Sequence, residues 1–556
     1  MRGGFPNWRL YFLIGIFILA SFVPCFWLYR LQVSRGQYYE VLAQEGEKSS
    51  SFLPKRGAIY FSDTNNELYP VALSNQSFDI YSTPGKIENI GEVSRLLGLI
   101  FGEEKSEIHK KLEENQDKSF VILKQRVDKN IADKIKEMNL QGISLRSNQT
   151  RSYPFLTMAA NAIGFLSYSD VFPRGQYGLE EFYNNELGFG DEDFDFSQEI
   201  VNEAGDSVIT SIDYHIQQEV EKILLGLSKK FKSEQGTIIV MNPTNGAILG
   251  MANLPTFNPA EYSKVKDLEV FKNVATQKPY EPGSVMKIIT MAAGLEEKVI
   301  TPNTIYNDEG EVKIKNITIR NFDGKARGYQ TMTNVLEESL NTGAVFVQQK
   351  INKKNFFDYL KKFGLEEKTG IDIVGEVSGS INNLKKYNDV DYATASFGQG
   401  VSATPMQILA AVSAIANQGK IMKPYLVNKI IRQNGDIKIT EPEIIGQPIS
   451  APTASKLTAM LVSVAENGLD KKAKIPGYQV AVKTGTAQVA KTDSPGYSDE
   501  TIHTIIGYAP AFNPRFSILI RLDKPIGLRF ASDTLGPAFN ELTKFLLNYY
   551  EVAPDL

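Results

Sequence analysis

The sequence predicts an α+β protein, in which an antiparallel sheet flanked by helices follows a mixed α/β module and an apolar N-terminal segment. Three observations predict this fold. The chain has 556 residues, more than one ordinary core accommodates, so two or more domains are expected. Strand-like runs lie at both ends of residues 206–556, with a long helical stretch between them. Residues 31–205 are more polar and mix short strands with charged helices.

The elements of residues 206–556 are predicted from periodicity and turn residues. The run VITSIDYHIQQEVEKILLGL predicts a strand that leads into an amphipathic helix, and GTIIVMNPTNGAILGMAN predicts a hairpin. A second hairpin is predicted where Asn434 and Gly435 separate two strand-like runs. Toward the end, YQVAVKTGTAQ, HTIIGYAP and FSILIRLD are typical of strands, and PAFNELTKFLLNYY is typical of an amphipathic helix. These strands form the predicted antiparallel sheet.

The module over residues 31–205 is predicted from weaker patterns. SFDIYS alternates as a strand does, and EEKSEIHKKLEENQDK is typical of a charged helix. The acidic, glycine-containing run ELGFGDEDFDFSQEIVNEAGD predicts a long loop or linker before the next module.

An uncharged apolar run, LYFLIGIFILASFVPCFWLY, lies between Arg9 and Arg30. It has the length that a bilayer-spanning helix requires, about 20 residues, and aromatic residues crowd both of its ends. The run is longer than the apolar region of a signal peptide, and no A-x-A-like cleavage site follows it. Residues 10–30 are therefore predicted to be an uncleaved membrane anchor, and lipid attachment at Cys25 is disfavoured by this length.

Composition excludes several classes of protein. The net charge is −4, so there is no electrostatic case for binding nucleic acid. Cys25 is the one cysteine, which excludes an intramolecular disulfide. The three histidines are scattered and form no spaced zinc motif with Cys25. No metal ion and no other cofactor is expected, although sites built of carboxylates alone stay open.

Residues 281–290, EPGSVMKIIT, place a hydroxyl and an amine one helical turn apart. Pro and Gly ahead of an apolar run mark a helix start, and positions i and i+3 share one helix face. Ser284 then lies in the first turn, where backbone N–H groups and the helix dipole favour developing negative charge. Lys287 is a candidate base for Ser284 if burial beside another cation keeps it neutral. The pattern is short, and Ser263 with Lys266 also matches it.

The segment ESLNTG brings Ser339 and Asn341 close together before Gly343, near the end of a helical stretch. A hydroxyl here could relay a proton to a leaving amine, and a side-chain amide could hold a substrate amide. The alternative is a helix end at which polar residues satisfy the last carbonyls.

The segment VKTGTAQ places Lys483, Thr484, Gly485 and Thr486 in a predicted strand. Glycine inside a strand indicates that another group approaches the backbone closely. A peptide could add along such an edge through main-chain hydrogen bonds, and the lysine and threonines suit a carboxylate. The alternative is an ordinary strand that ends in a bulge.

Together and in this order, the three segments match the S-x-x-K, S-x-N and K-T-G set of penicillin-recognising serine enzymes. The chain resembles the class B penicillin-binding proteins, the monofunctional D,D-transpeptidases that cross-link peptidoglycan. The resemblance extends to RGAIYF, YGLEEFYNNEL, FGQGVSATPMQ and IIGYAPAFNP. It departs at Leu340, where some relatives carry Asp, and after RGAIYF, where the expected acidic residue is part of an SDTNN turn.

The resemblance implies a role for each catalytic candidate. Ser284 attacks the carbonyl of the penultimate D-Ala of a stem peptide, with Lys287 as the base. Asn341 positions Lys287 and the substrate amide. Ser339 and Lys483 complete a proton relay to the departing D-Ala.

The resemblance also implies how the substrate is held. Thr484, Gly485 and Thr486 form the substrate-binding segment, and the two threonines hold the terminal carboxylate. The backbone N–H groups of Ser284 and Thr486 form the oxyanion hole. No metal ion or cofactor takes part.

The domain organisation follows from the resemblance as well. Residues 1–9 are expected to be a short cytoplasmic tail and residues 10–30 the transmembrane anchor. A pedestal domain of the dimerisation type is expected over residues 31–205 and the transpeptidase domain over residues 206–556. The protein is then a single-pass membrane protein whose catalytic domain lies outside the cytoplasm.

Within the family, HTIIGYAPAFNPRFSILIRLDKP resembles the cell-division (FtsI-like) type more than the elongation type. The expected role is septal cell-wall synthesis. The implied partners are stem peptides ending in D-Ala-D-Ala, β-lactams, the membrane, a glycosyltransferase of the SEDS type and proteins of the divisome or elongasome. An elongation-type transpeptidase, a β-lactamase or penicillin sensor, and a D,D-carboxypeptidase are the alternatives. A hydrolase needs a base for water, and no segment clearly supplies a second carboxylate near the motifs.

Overall fold

The computed structural model describes residues 55–168, 173–188, 204–491 and 496–555, together with Phe12, Ser21, Phe22 and Tyr29. Apart from those four residues, the predicted anchor over residues 10–30 lies outside the described residues, as does most of the acidic run 186–206. In the part of the chain that is described, no helix combines the length and the apolar character needed to cross a membrane.

The strands are, in chain order, β1 (Ile59–Ser62), β2 (Leu68–Ser82), β3 (Val121–Asp128), β4 (Ile143–Ser152), β5 (Phe165–Ser167), β6 (Arg174–Gln176), β7 (Ser207–Asp213), β8 (Gly236–Met241), β9 (Ile248–Leu254), β10 (Ile305–Asp308), β11 (Glu311–Ile314), β12 (Ile317–Arg320), β13 (Gly328–Thr331), β14 (Ile421–Met422), β15 (Val427–Ile431), β16 (Ile437–Ile439), β17 (Ile444–Gly446), β18 (Ala481–Ala490), β19 (Tyr497–Ala509) and β20 (Phe516–Asp523).

The α-helices are α1 (Ile90–Phe101), α2 (Lys105–Glu113), α3 (Lys129–Glu137), α4 (Ala160–Ile163), α5 (Gly178–Phe182), α6 (Tyr214–Phe231), α7 (Val274–Gln277), α8 (Met286–Glu296), α9 (Met332–Glu337), α10 (Asn341–Lys350), α11 (Lys353–Lys362), α12 (Asp389–Ala395), α13 (Pro405–Ala416), α14 (Ala451–Asn467), α15 (Ala531–Thr534) and α16 (Gly536–Tyr549). Short 3₁₀ helices span Pro84–Lys86, Pro259–Lys264, Leu268–Phe271, Gly283–Val285, Asn382–Lys386 and Lys471–Ala473.

The described residues form two compact units that interleave along the chain. The smaller contains residues 74–152, and the larger contains residues 57–73, 153–188 and 206–555. This division differs from the predicted one between residues 205 and 206. The reason is that β1 pairs in parallel with β7, so backbone hydrogen bonds hold residues 59–62 in the larger unit.

The smaller unit contains helices α1 to α3, strands β3 and β4 and the later residues of β2, with which both strands pair. Its core is apolar and includes Ile80, Leu97, Leu112 and Ile135. Helix α1 begins after Asn89, whose side chain accepts a hydrogen bond from the N–H of Glu92 and caps the helix. The strand predicted at SFDIYS and the charged helix predicted before residue 118 are both present, as β2 and α2.

The larger unit is built on a five-stranded antiparallel sheet with the order β18-β19-β20-β8-β9. The predicted strands and both predicted hairpins, β8–β9 and β15–β16, are confirmed. A second sheet orders β16, β15, β7 and β1, and the first residues of β2 pair with β1.

The central sheet is covered by helices on both faces. Every residue of β8 is buried, and alternate residues belong to two different cores because successive side chains point to opposite faces. Ile238 shares its core with side chains of α6 and α16, whereas Ile239 shares the other core with side chains of α8 and α13. The prediction of a sheet flanked by helices is therefore confirmed.

Candidate active site

Ser284 lies where strand β18 meets the start of helix α8. A single 3₁₀ turn, Gly283–Val285, leads directly into α8, as the Pro-Gly signal predicted. A Cβ atom on Gly485 would lie 2.7 Å from the carbonyl oxygen of Pro282 and 3.0 Å from Cγ2 of Val285. The glycine in the strand thus permits a close approach by the turn that carries Ser284, and this contact joins the first and third predicted segments.

Lys287 connects Ser284 to the second segment. Its Nζ atom lies 3.0 Å from Oγ of Ser284 and 3.2 Å from Oγ of Ser339, and it donates to the carbonyl oxygen of Ser339 at 2.6 Å. The structure therefore brings these three predicted residues together. Ser263 and Lys266, the competing match to the pattern, are exposed on the surface.

The environment of Lys287 disfavours a positive charge. The side chain is fully buried, and its hydrogen-bond partners are two hydroxyls and a carbonyl. Burial, and next the charge of Lys483, lower the pKa of Lys287 well below its ordinary value. A lysine in this state is able to accept a proton.

Ser339 lies in the short segment between two helices, just after the first one ends, near a helix end as ESLNTG predicted. Helix α9 ends at Glu337 and α10 begins at Asn341. Ser339 has a φ of +52°, a left-handed conformation that is uncommon for a residue with a side chain. Its carbonyl and its hydroxyl both contact Lys287, so the turn supplies two oxygen atoms to one amine.

Among the described residues, no hydrogen bond joins Asn341 to Lys287, the residue that Asn341 is expected to position. Its side-chain Nδ2 donates to the carbonyl oxygen of Arg320 at 2.9 Å, and its backbone N–H donates to Oδ1 of Asn321 at 2.9 Å. Because Asn341 is the first residue of α10, its N–H has no partner within the helix. Asn321 supplies that partner and receives a hydrogen bond from the N–H of Thr342 as well.

Lys483 is the second buried lysine of the site, with 1% of its surface exposed. Its Nζ lies 3.8 Å from Oδ2 of Asp470, whose side chain is fully buried. Burial lowers the pKa of Lys483 more than the carboxylate of Asp470 raises it.

Asp470 also binds Thr484, which changes the expected role of that threonine. The hydroxyl and the backbone N–H of Thr484 donate to the two oxygens of Asp470, at 2.6 and 2.9 Å. The side chain of Thr484 is thus engaged within the protein. Thr486 differs, because its hydroxyl oxygen accepts from the N–H of Ala531 at 3.0 Å and keeps its own proton available.

Two carboxylates near the site were not found from the sequence. Asp470 lies in ENGLDKKAK, where an isolated acid among lysines is typical of a solvated surface, so no sequence signal distinguishes it. Glu281 precedes Ser284 by three residues and accepts hydrogen bonds from the N–H of Gly400 and the hydroxyl of Tyr497, both at 3.0 Å. Burial raises the pKa of Glu281. The sequence feature that points to Glu281 is its position three residues before Ser284.

Metal ligands do not cluster near this site. Over the described residues, no group of three or more His, Cys, Asp or Glu side chains has the arrangement of a metal site. The polar groups that the structure brings together here are lysines and hydroxyls, with Asp470 paired to one of the lysines.

Comparison with known families assigns the two parts of the chain. Residues 236–544 match the penicillin binding protein transpeptidase domain, and residues 51–192 match the penicillin-binding protein dimerisation domain. The chain belongs to the class B penicillin-binding proteins, which combine these two domains, and it is of the FtsI-like type.

Relatives of known name cover most of the chain. Stage V sporulation protein D of Bacillus subtilis is 29% identical over 98% of this chain and 86% of its own length. Peptidoglycan D,D-transpeptidase FtsI of Escherichia coli K12 is 26% identical over all of this chain and 94% of its own length.

Solved structures share the fold. Penicillin binding protein 2X of Streptococcus thermophilus superposes with a TM-score of 0.75 at 22% identity, covering 90% of this chain and 81% of that one. Penicillin binding protein 3 of Mycobacterium tuberculosis, in complex with aztreonam, gives a TM-score of 0.71 at 24% identity, covering 91% of this chain and 98% of that one.

Proposed function

We propose that the protein is a peptidoglycan D,D-transpeptidase that forms an acyl-enzyme on Ser284. The observation that carries this proposal is the position of Lys287, whose buried amine lies within hydrogen-bond distance of the hydroxyls of Ser284 and Ser339. The substrate is a stem peptide ending in D-Ala-D-Ala, as the names of the FtsI relatives support.

Acylation begins with the transfer of the Ser284 hydroxyl proton to neutral Lys287. The Oγ atom of Ser284 then attacks the carbonyl carbon of the penultimate D-Ala and forms a tetrahedral adduct. The backbone N–H groups of Ser284 and Thr486 bind the negative oxygen of this adduct, and the close contact between their two segments at Gly485 supports the pairing.

Collapse of the adduct breaks the peptide bond. The proton on Lys287 passes through the hydroxyl of Ser339 to the nitrogen of the terminal D-Ala, which leaves as a free amino acid. The distance of 3.2 Å between Nζ of Lys287 and Oγ of Ser339 supports this relay. Lys483 keeps a positive charge beside Asp470 and stabilises the developing negative charge.

The terminal carboxylate of the substrate lies along strand β18. This strand is at an edge of the five-stranded sheet, which leaves one side of its backbone unpaired by other strands of that sheet. The Thr486 hydroxyl proton and the Lys483 charge bind the carboxylate, with Gly485 between them. Thr484 acts through Asp470, because its hydroxyl is directed there.

An amine of a neighbouring stem peptide then attacks the ester of Ser284. A new amide bond forms, the ester bond breaks, and the Ser284 oxygen recovers a proton from the incoming amine through Lys287. Hydrolysis is the competing outcome. Glu281 is the carboxylate that precedes Ser284, but its two oxygens accept hydrogen bonds from Gly400 and Tyr497. This engagement favours a long-lived ester over activation of water.

The cellular setting proposed is the outer face of the cell membrane, with residues 10–30 as a single anchor and residues 1–9 in the cytoplasm. Residues 31–205 serve as the pedestal domain and residues 206–556 as the transpeptidase domain. A septal role, with a SEDS-type glycosyltransferase and divisome proteins as partners, is supported by the FtsI relatives. The similarity to a stage V sporulation protein supports a second candidate, wall synthesis during sporulation.

The experiment that tests the activity follows one acyl-enzyme through time. Full-length protein is labelled with penicillin, the excess is removed, and the intact mass is followed. We expect a single penicilloyl adduct on Ser284 that persists for many minutes, and no adduct in Ser284→Ala. Return to the unmodified mass within seconds would make the protein a β-lactamase. Turnover of a D-Ala-D-Ala stem peptide with an added amine separates transpeptidation from release by water.

A further inference from the structure

A cavity lies in the larger unit, at the β9 edge of the five-stranded sheet. It has a volume of about 280 Å³, near the lower end of the range of about 300–1,000 Å³ for small-molecule sites. Helix α6, strand β9 and the segment 157–161 line it, mostly with apolar atoms. Strands β9 and β18 are at opposite edges of the five-stranded sheet, so this cavity is separate from the candidate active site.

Glu221 is the acidic residue that lines this cavity. Its Oε1 atom accepts two hydrogen bonds, from the N–H of Ala159 at 2.6 Å and from Nε2 of Gln217 at 2.8 Å. Its Oε2 atom accepts none from the described residues and is left for a ligand. Burial raises the pKa of Glu221, which reflects how little water surrounds the carboxyl group.

The side chain of Glu221 is held in place by its neighbours. Gln217 bonds to both the N–H and the carbonyl of Met251, at 2.8 and 3.0 Å, and so fixes the edge of β9 against helix α6. The same amide then donates to Glu221. Asn253, on the same strand, also lines the cavity, and its Oδ1 accepts a hydrogen bond from the N–H of Ala275 at 3.2 Å. The cavity therefore offers one fixed acceptor, Glu221, within an apolar wall.

The charge of Glu221 is not neutralised by an ion pair in the described part of the chain. Lys222 is the other titratable residue that lines the cavity. Its ammonium group bonds both oxygens of Glu219, at 2.8 and 2.9 Å, and lies 3.9 Å from Glu541. Those carboxylates already compensate Lys222, so Glu221 is the carboxyl group of the cavity that has no ion-pair partner among the described residues.

We propose that this cavity binds a small organic ammonium ion with an aliphatic body. The ammonium group donates to Oε2 of Glu221, and the aliphatic chain covers the apolar wall formed by residues such as Met158, Leu225 and Leu254. Such a ligand satisfies the free carboxylate oxygen and removes apolar surface from water at the same time. Nothing in the proposed reaction at Ser284 uses this site.

The probe is n-hexylammonium, with 1-hexanol as a neutral ligand of the same shape, titrated into the full-length protein by calorimetry. Glu221→Gln is the matched variant, because its amide oxygen still accepts from Ala159 and Gln217 while an N–H₂ group replaces the free oxygen. We expect Glu221→Gln to weaken n-hexylammonium binding about tenfold or more, since a charged hydrogen bond is lost. It leaves 1-hexanol binding unchanged. Glu443→Gln, which affects an exposed ion pair with Lys423 outside the cavity, binds both probes like the unaltered protein.

A pH titration and a second variant provide two further tests of the proposal. The affinity for n-hexylammonium should rise with pH as Glu221 loses its proton, whereas that for 1-hexanol should stay constant. Leu225→Trp places a larger side chain in the cavity lining and should weaken the binding of both probes. It is the second test variant if Glu221→Gln fails to fold. Penicillin labelling reports folding in every variant. No n-hexylammonium binding to the unaltered protein, or equal affinity in a folded Glu221→Gln variant, overturns the proposal.

Discussion

The two sides of the candidate active site each bury a lysine, and the two lysines have different partners. On the helix side, Lys287 contacts hydroxyls and a carbonyl. On the strand side, Lys483 lies 3.8 Å from the carboxylate of Asp470. Burial lowers both pKa values, but Asp470 opposes the effect at Lys483 while the charge of Lys483 adds to it at Lys287. The charged neighbour therefore shifts the two pKa values in opposite directions, downward at Lys287 and upward at Lys483, on top of the lowering by burial.

The largest effect is expected from Lys287→Arg. Arginine keeps the positive charge but does not give up its proton, so it cannot act as a base. We expect the rate of acylation by a fluorescent penicillin to fall by about 10²–10⁴-fold, the usual contribution of a positioned base. Lys483→Arg keeps the charge that its position requires and should lose much less. Near-normal acylation in Lys287→Arg would show that this position needs only a positive charge.

The next effect is expected from Gly485→Ala, which acts on the contact between the two sides. The added Cβ atom would lie 2.7 Å from the carbonyl oxygen of Pro282, so β18 must move away from the turn that holds Ser284. We expect about a 10²-fold loss of acylation rate, since small displacements at a reacting centre are costly. Gly226→Ala, in α6 with open space around it, is the control and should keep full activity. Normal acylation in Gly485→Ala would contradict the close contact.

A smaller effect is expected from Asp470→Asn, which removes the carboxylate beside Lys483 on the strand side of the site. Without the carboxylate, nothing opposes the lowering of the Lys483 pKa, so Lys483 loses its proton at lower pH. The alkaline limb of the acylation rate profile should move to lower pH, with about a tenfold loss of rate where Lys483 is neutral. The control is the same rate profile for Asp533→Asn, which removes an exposed ion pair with Lys472. An unmoved alkaline limb would exclude Asp470 as the partner that keeps Lys483 charged.

The remaining effects concern stability rather than rate. The pKa of Lys287 is lower in the folded protein than in the unfolded chain, so the unfolded state binds more protons between the two pKa values and stability rises with pH there. The melting temperature of Lys287→Met, relative to the unaltered protein, should therefore increase as pH falls from about 10 and then level off. Lys483→Met should instead lose about 3 kcal/mol, because Asp470 is left buried without its cation. Thermal melts from pH 6 to 10 measure both, with Lys229→Met on the surface as the control. A Lys287→Met difference that does not change with pH would mean that Lys287 is charged in the fold.

The predicted chemistry and the predicted elements depend on local sequence. Periodicity and turn residues predicted the strand and helix pair β7 and α6, both hairpins and the helix start at Ser284. These predictions succeeded because alternation and helical spacing report directly which face of an element is buried. The environment of Glu281, three residues before Ser284, does not follow from local sequence, because its hydrogen-bond partners Gly400 and Tyr497 are distant along the chain.

The sequence by itself determined which side chains are available for acyl transfer and which segments are strands and helices. Tertiary structure decided how those side chains are used. Asp470 accepts a hydrogen bond from Thr484, 14 positions away in the sequence, and Ser339 accepts one from Lys287, 52 positions away. Tertiary structure also brings the side-chain amide of Asn341 to the carbonyl of Arg320 and places residues 57–73 in the larger unit. Burial and hydrogen-bond partners set the charge of a lysine, and both depend on residues that only folding brings together.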